Sequence, residues 1–518
     1  MILFTIFADR IIHGRPPWEQ PPSQHPHTMP AIRHFLLACT SLVLAFFPVH
    51  TSAQEAQGVN TTRISARIDP SKRLQTHEGW GVSLCWWANM CGRWKNEGRL
   101  DTLLTLLASP GHLNYNVFRY NIGGGDDPQW RNCKPHHFGG RNGKGLRAEM
   151  PGFKDSLNGP YVWNRDLPQR RVMLKLRRLR PDALFEAFSN SAPYYLTASG
   201  CVGGAEKATD DNVPEKNYEH FARYLVDVCT MYRDSFQLEF HSLEPFNEPV
   251  TDYWYRNGSQ EGCHFSASSQ IRFLHVLAPI LKASGLRTLI SASDETSIAQ
   301  SVTDFQAYKD DGEALRTVGQ WNVHSYKGDN DDRAKLRELA RLHGKRLWMS
   351  ESGDGGEGIH GNLKMAQRLI DDMRILQPTV WTDWQYVEEY GDQWSLITSD
   401  WNHERYHLNK NYWVRYQFTH FIKPGYTYLD TPHPYLLAAL SPDRRELVIV
   451  SLNSSKAAAR QDHLVLSDFH VDDSSWKIKA YRTSQTEDAK ATADFKLRKH
   501  TLRYQLPPLS VCTFVLRR

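Results

Sequence analysis

The chain has 518 residues, 40% of them hydrophobic and 12% aromatic, so it is long enough to bury a large core as one barrel plus a smaller domain. Its formal net charge is only +5, and charged residues of both signs are interspersed along the sequence. This balance argues against a nucleic-acid-binding patch and a polybasic membrane arm, and we expect no nucleic-acid partner.

The N-terminal segment is predicted to carry an export signal. Residues 29–53 have a short basic start, an apolar stretch and small residues before a cleavage point at Gln54. Residues 1–28 resemble neither a signal nor a domain, and we interpret them as an extension from a start placed too far upstream.

The apolar stretch is short for a membrane span, so we expect no stable membrane insertion. The protein is therefore predicted to be exported, to the periplasm or the extracellular space. Leu36-Leu37-Ala38-Cys39 faintly resembles a lipoprotein signal, which leaves a lipid-anchored surface form as an alternative.

The sequence has eight cysteines, and removal of the signal with Cys39 leaves seven. An odd number in an exported chain requires at least one unpaired thiol. Cys229 lies on the apolar face of a helical run and is expected to be a core thiol. Cys85 and Cys91 are close enough in sequence to pair, although spacing alone does not give the connectivity. No cysteine or histidine cluster has zinc-ligand spacing, and we expect no metal.

Strand-like runs alternate with amphipathic helical segments from residue 77 onward, which predicts a (β/α)₈ barrel over residues 77–411. A doubly wound open sheet is the alternative. It would need an early phosphate-binding glycine turn, and Gly123-Gly124-Gly125 lacks the required spacing. The eight predicted strands are 79–88, 116–125, 184–196, 238–249, 288–294, 318–326, 346–351 and 380–387.

From residue 412 to residue 518 the pattern changes to short alternating runs separated by polar turns, which predicts a small antiparallel β-sandwich. Residues 54–76 also alternate and are expected to add a strand or strands to it, so that both chain ends build this domain. The predicted C-terminal strands are 435–440, 446–452, 464–466, 476–481, 501–504 and 511–516.

The segment from Asp126 to Arg170 is long for a connection between a strand and a helix, and it contains Trp130 and Trp163. Loops of this length in compact domains are usually functional or disordered. We expect this one to form a wall of the cleft at the carboxyl end of the barrel.

Two glutamates stand out because each ends a predicted barrel strand, Glu248 the fourth and Glu351 the seventh. Catalytic groups of such barrels lie at the carboxyl ends of strands. Two carboxylates from separate strands can act as acid and nucleophile on a glycosidic bond, since their mutual repulsion keeps one protonated. An Asn-Glu-Pro sequence by itself is more often an exposed strand-end charge. Glu239 and Glu244 are rival carboxylates but precede the strand end.

Six motifs taken together resemble glycoside hydrolase family 30, and within it the endo-β-1,6-galactanase branch. The resemblance covers nearly the whole mature chain and implies a barrel, a retaining mechanism and no cofactor. It also implies Glu248 as acid/base and Glu351 as nucleophile. The motifs are GWGVSLCWWA at 79–88, FRYNIG at 118–123, EPFNEP at 244–249, HSY at 324–326, WMSE at 348–351 and WTDWQ at 381–385.

The same resemblance implies roles for residues around the pair. Asn247 is expected to bind the 2-hydroxyl of the reacting sugar. Arg119 is expected to keep Glu351 ionised, or to serve as an ion pair inside the barrel. Tyr326 is expected to donate a hydrogen bond to Glu351, and His324 to shape the floor of the site.

Two tryptophans complete the expected site. Trp384 is expected to form the platform under the reacting ring. Trp86 stands where glucosylceramide-cleaving relatives carry an Asp, which argues against simple glucosidase activity and for a differently shaped first subsite. Trp80, Trp87 and the tryptophans of the long loop are further candidates for sugar-stacking surfaces.

The leading prediction is a monomeric, exported retaining glycosidase that acts on β-1,6-galactan side chains of arabinogalactan, with a polysaccharide or oligosaccharide as its partner. Other family specificities are the first alternative: β-1,6-glucanase, glucuronoxylanase or β-xylosidase. A catalytically inactive glycan-binding barrel is the second. A metal-dependent hydrolase using His324 and Asp383 is the third.

Overall fold

The computed structural model describes residues 61–129, 131, 133, 150–389, 391, 393–469 and 475–518. The predictions on the export signal, the upstream extension and Trp130 lie outside the described residues. None of the helices in the described part is long and apolar enough to cross a membrane.

The strands are numbered in chain order. They are β1 (Thr61–Arg67), β2 (Arg73–Thr76), β3 (Gly79–Ser83), β4 (Val117–Asn121), β5 (Leu184–Phe188), β6 (Ser242–Glu244), β7 (Leu289–Ser297), β8 (Val318–Lys327), β9 (Arg346–Ser352), β10 (Val380–Asp383), β11 (Val387–Glu388), β12 (Ile397–Asp400), β13 (Arg405–Leu408), β14 (Thr427–Leu429), β15 (Leu436–Leu440), β16 (Glu446–Asn453), β17 (Ala459–Val465), β18 (Lys477–Thr483), β19 (Lys490–Thr492), β20 (Phe495–Arg498), β21 (Thr501–Leu506) and β22 (Ser510–Arg517).

The α-helices of the described residues are numbered in the same way. They are α1 (Trp87–Cys91), α2 (Glu97–Ala108), α3 (Leu167–Leu179), α4 (Tyr218–Phe236), α5 (Ala267–Ala283), α6 (Ile298–Asp311), α7 (Glu313–Thr317), α8 (Asn330–Leu342), α9 (Gly358–Asp371) and α10 (Lys410–Thr419).

Eight parallel strands, β3 to β10, close into a barrel in which β10 pairs with both β3 and β9. Strands such as β3, β4 and β9 are buried on nearly every residue, because helices cover the outer face and side chains fill the interior. The predicted (β/α)₈ barrel is therefore confirmed. Each of its strands overlaps a predicted run, and β7, β8 and β9 extend one to three residues beyond theirs.

Several predicted strands were too long, because apolar residues continue past the strand into the turn that follows. The fourth barrel strand is the clearest case, since β6 contains only three residues. Pro245 comes directly after it and has no N–H to donate to a neighbouring strand. Asn247 and Glu248 therefore lie on the loop above the strand and not within it.

Polar side chains fill part of the barrel interior beneath the site. Glu186 accepts hydrogen bonds at Oε2 from Ser242 (2.7 Å), Gln320 (3.0 Å) and Asn322 (3.0 Å). Its Oε1 accepts from Arg119 at 2.8 Å. All five side chains are buried, so this network fixes Arg119 from below.

Two further sheets form the sandwich, with strand orders β1-β17-β21-β20 and β19-β18-β22-β16-β15-β14-β2. The prediction that both chain ends contribute is correct, because β1 enters one sheet and β2 the other. The smaller sheet is not purely antiparallel, since β1 runs parallel to β17 over its whole length. The short strands β14, β19 and β20 were missed because they contain only three or four residues.

Cys133 and Cys201 form a disulfide. Cys85 and Cys91 are both buried free thiols, so the possible pairing of these two is not observed. Cys229 is a buried free thiol on α4, as predicted.

Candidate active site

Glu248 and Glu351 lie together at the carboxyl end of the barrel, one on the loop after β6 and the other within β9. One carboxylate oxygen of each glutamate and one ring nitrogen of His324 all lie within 4.8 Å of one another. Both glutamates are largely buried, with exposures of 8% and 6%. The two residues chosen from strand-end positions therefore form one compact acidic pair.

The backbone of Glu248 is held in an uncommon conformation. Its φ of 49° lies in the left-handed region, which is strained for a residue with a side chain. Its N–H donates to the carbonyl of Asp294 at 2.9 Å, and its carbonyl accepts from the indole of Trp254 at 2.9 Å. These contacts compensate for the strain and fix the direction in which the carboxylate points.

Glu351 accepts hydrogen bonds from two neighbours. The hydroxyl of Tyr326 donates to Oε1 at 3.0 Å, so the contact expected from the sequence is present. Arg119 donates to Oε2 at 3.3 Å. The same guanidinium pairs with Asp294 at 2.5 Å and Glu186 at 2.8 Å. Arg119 is thus both a neighbour of Glu351 and an ion pair inside the barrel.

His324 lies between the acidic groups rather than beneath them. Its Nδ1 is 3.0 Å from Glu248 Oε1 and its Nε2 is 3.2 Å from Asp294. Burial lowers the pKa of His324, but the charges of Asp294 and Glu351 outweigh burial and raise the pKa to about 10. The ring is therefore a cation at neutral pH and donates to Glu248. The expectation that His324 only shapes the floor was incomplete.

The pKa values of the two glutamates are displaced in opposite directions. Burial raises the pKa of Glu351 to about 7, and the charge of Glu248 adds to this rise against the lowering effect of His324. Burial also raises the pKa of Glu248, but hydrogen bonds from His324 and Tyr253 outweigh it and hold the pKa below its ordinary value. When the pair holds one proton, that proton therefore lies mainly on Glu351 in the structure.

The cleft above the pair has a volume of about 520 Å³. Trp86 and Trp384 both line it and meet edge to face, with ring centroids 5.0 Å apart. Asn247 also lines the cleft, and its buried Oδ1 has no hydrogen-bond partner among the described residues. A polar ligand in the cleft would satisfy that atom.

Three predicted cleft tryptophans lie elsewhere. Trp80 and Trp87 are 1% exposed, and their indoles donate to backbone carbonyls of the core. Trp163 stacks on Tyr161 at 4.3 Å and does not line the cleft. In the GWGVSLCWW motif, only Trp86 reaches the cleft, because the strand ends at Ser83 and the chain turns there.

Four aromatic residues of the cleft were not predicted from the sequence: Tyr253, Trp254, Tyr255 and Trp394. The hydroxyl of Tyr253 donates to Glu248 Oε2 at 2.5 Å. The signal available was the aromatic run from Tyr253 to Tyr255, which follows the Asn-Glu-Pro motif by a few residues.

The rival acidic residues are held away from the pair. Glu239 binds exposed Arg287 before β6 begins. The prediction that Glu244 precedes the strand end is wrong, because it is the last residue of β6. It is fully buried, and burial raises its pKa well above the ordinary value. Asp383 is paired with Arg415 at 2.8 Å, so it does not join His324 as the metal-site alternative required.

The cationic state of His324 can be tested through stability. Its pKa in the folded protein is about 10 against an ordinary 6.5, so its protonation stabilises the fold fully below the lower value and this contribution is lost as the pH rises toward the higher one. We expect the Tm of the unmodified protein to fall more steeply between about pH 7.5 and pH 10 than the Tm of His324→Gln. His420→Gln, whose ring has a lowered pKa, is the control and should keep the original slope. Equal slopes for all three proteins would contradict the assignment.

Comparisons with known proteins agree with this architecture. The family model of O-glycosyl hydrolase family 30 matches residues 63–327. An endo-β-1,6-galactanase of Hypocrea rufa is 32% identical over 80% of this chain and 85% of its own length. An exo-β-1,6-galactobiohydrolase of Bifidobacterium longum is 26% identical over 60% of this chain, but only 26% of its own length is covered.

Solved structures share the fold. A conserved exported protein from Bacteroides fragilis superposes with a TM-score of 0.71 at 19% identity, covering 87% of this chain and all of that one. The catalytic domain of a family 30 xylanase from Talaromyces cellulolyticus gives 0.68 at 17% identity, covering 88% of this chain and all of that one. The chain is a glycoside hydrolase and belongs to family 30.

Proposed function

We propose that this glycoside hydrolase cleaves β-1,6-linked galactan by a retaining, double-displacement mechanism, with Glu248 as acid/base and Glu351 as nucleophile. The observation that carries the mechanism is the separation of the pair, whose nearest oxygens lie within 4.8 Å. Retaining glycosidases hold their carboxyl groups about 5 Å apart, whereas inverting ones need about 6.5–9.5 Å to admit a water molecule.

In the first step, an oxygen of Glu351 bonds to the anomeric carbon while the bond from that carbon to the leaving oxygen breaks. In the reacting form the shared proton lies on Glu248 and Glu351 is ionised, and the leaving oxygen takes that proton. The glycosyl-enzyme so formed lies on Glu351. Tyr326 binds one oxygen of Glu351 and Arg119 the other, so the oxygen that does not bond to the sugar keeps a donor. Their hydrogen bonds favour the ionised nucleophile before attack and after release.

In the second step, a water molecule attacks the anomeric carbon. Glu248, now ionised, accepts the proton of that water, and the bond to Glu351 breaks. The sugar is released with its original anomeric configuration. Asn247, beside the acid and with an unsatisfied buried oxygen, is assigned to the 2-hydroxyl, a contact that strengthens at the transition state.

The substrate assignment is supported by the relatives and by the aromatic cleft. Two relatives with galactan-cleaving names match the chain, one of them along most of its length. Sugar rings pack their C–H faces on aromatic side chains, and Trp86 and Trp384 offer such faces beside the pair. A glucuronoxylanase of Bacillus subtilis matches more distantly, at 20% identity over 58% of this chain, so other specificities stay alternatives.

The mechanism predicts distinct effects for the two glutamates. Glu351→Gln should lower kcat on galactan at least about 10³-fold, because no nucleophile is left. Glu248→Ala should lose galactan cleavage but hydrolyse an activated aryl galactoside, with azide giving a β-galactosyl azide. Glu244→Gln, a neighbouring buried glutamate, is the control and should keep most activity. A first product with inverted configuration, observed by NMR, would contradict the mechanism.

The substrate is tested on a panel of defined β-glycans. We expect kcat/KM on β-1,6-galactan, best after arabinose removal, to exceed that on β-1,6-glucan or xylan by about 100-fold or more, because a site built for axial O4 rejects glucose. Trp86→Ala should weaken galactan cleavage more than aryl galactoside cleavage. Trp163→Phe, outside the cleft, should change neither. A preference for glucan or xylan would overturn the substrate and leave the mechanism standing.

We also propose that the enzyme is exported as a monomer after cleavage before Gln54, on the basis of the sequence pattern of residues 29–53. N-terminal sequencing of secreted protein should find a start near Gln54. A start at Met1, or at any residue before Met29, would refute both the cleavage and the proposed translation start.

A further inference from the structure

A second groove opens beside the cleft, on the side of Glu248. We call it the side groove. Its volume is about 550 Å³, close to that of the cleft, and it shares Tyr253, Thr296 and Lys327 with it. The rest of its lining is mostly polar, including Thr251 and Gln300. The two cavities therefore adjoin at these three residues, one of which contacts the acid/base.

Tyr253 stands at the junction of the cleft and the side groove. Its side chain is 36% exposed, although its hydroxyl is hydrogen bonded to Glu248 Oε2 at 2.5 Å. Glu248 Oε1 lies 3.0 Å from the cationic ring of His324. Both oxygens of Glu248 thus accept a hydrogen bond in the structure. At Oε2, the hydroxyl of Tyr253 competes with a leaving group for the same oxygen.

The chemistry of the proposed substrate makes this contact important. In a 1,6-linkage the leaving oxygen belongs to a primary alcohol, which is a poor leaving group unless it receives a proton as the bond breaks. An activated aryl group departs without that help. An oxygen of Glu248 that carries a proton and faces the leaving oxygen is therefore needed for galactan and dispensable for an aryl galactoside.

We propose that the leaving part of the substrate lies in the side groove, and that its first sugar replaces the Tyr253 hydroxyl at Glu248 Oε2. This inference rests on the proposed function. The freed Oε2 then carries the proton that passes to the leaving oxygen as the anomeric carbon bonds to Glu351. Tyr253 is a positioning residue in this scheme, because it acts through Glu248 and holds it ionised until the leaving-side sugar arrives.

The charges around Glu248 are consistent with this exchange. The titratable groups that face Glu248 come from β8, β9 and its own loop: His324, Tyr326, Glu351 and Tyr253. Asp294 of β7 lies behind His324. The donation from Tyr253 is one of the contacts that hold the pKa of Glu248 down. Its loss raises that pKa, which moves the shared proton from Glu351 toward Glu248.

Tyr253→Phe tests the exchange, with Tyr255→Phe as the matched control. Both tyrosines line the cleft on the same loop, and Glu248 accepts its hydrogen bond from Tyr253. Glu248 has the lower pKa of the two glutamates, so its ionisation sets the acid limb of the kcat/KM profile. We expect this limb, measured on galacto-oligosaccharide, to move up by about one pH unit in Tyr253→Phe, since a carboxylate that loses a donor has a higher pKa. The limbs should not move in Tyr255→Phe.

An unshifted profile in Tyr253→Phe would overturn the exchange. If KM rose alone, Tyr253 would be only a sugar contact. If kcat fell equally on oligosaccharide and aryl galactoside, its hydrogen bond would be needed throughout the reaction.

The side groove is tested separately on α6, where Ala299 lines it and is exposed. Ala299→Trp should lower kcat/KM on a β-1,6-galactotetraose at least about tenfold and leave an aryl galactoside within about twofold, because only the longer substrate fills the groove. Asp310→Trp, an exposed position of α6 that does not line the groove, should change neither. Equal effects of Ala299→Trp on both substrates would overturn the assignment.

The ratio of kcat/KM on oligosaccharide to kcat/KM on aryl glycoside distinguishes a failure of this inference from a failure of the proposed substrate. If the unmodified enzyme prefers another β-glycan in the panel, galactan is the wrong substrate, and the variants are compared on an oligosaccharide of the preferred glycan. The inference then stands or falls on the shift of the acid limb and on the ratio of oligosaccharide to aryl glycoside.

Discussion

The site depends on one buried cation. Arg119 is completely buried and binds Glu186, Asp294 and Glu351 at 2.8, 2.5 and 3.3 Å. A guanidinium out of water is tolerated only when charged partners and hydrogen bonds compensate for its lost hydration. Its planar group of donors reaches several carboxylates at once, which a lysine could not do in the same way. Removal of one partner of such a buried pair typically costs about 3–5 kcal/mol.

Asp294 extends that network to the other half of the site. It accepts from Arg119 through one oxygen and faces His324 through the other, and its backbone carbonyl accepts the N–H of Glu248. The strained backbone of Glu248, the cationic ring of His324 and the position of Glu351 are therefore linked through two side chains inside the barrel. The proton shared by the glutamates is governed by the same charges, so a change at any of them alters where it resides.

The barrel was predictable from the sequence because fully buried parallel strands are long apolar runs separated by amphipathic helices. The two glutamates were noticed because each closes an apolar run, although Glu244 and not Glu248 is the last residue of the fourth strand. The lengths of the strands could not be predicted, because Phe246 and its neighbours continue the apolar pattern on a loop. Trp80, Trp86 and Trp87 could not be separated by composition, since only the turn after Ser83 decides which of them faces the cleft.

Contacts formed by the loops could not be predicted from the sequence. Tyr253 reaches Glu248 because Trp254 anchors the loop to the Glu248 carbonyl and packs where Gly262 has no side chain. Those contacts join residues whose separation follows no period, so no pattern reports them. The raised pKa of His324 likewise depends on Asp294 and Glu351, which come from two other strands.

In the proposed mechanism, Glu351 carries the glycosyl group during the reaction. Incubation with an activated 2-deoxy-2-fluorogalactoside, which slows release of the intermediate, followed by proteolysis and mass spectrometry, identifies the labelled residue. We expect a single fluorogalactosyl group on the peptide that contains Glu351, and no label in Glu351→Gln. A label on Glu248, or unlabelled enzyme that still hydrolyses galactan with inversion, would contradict the account.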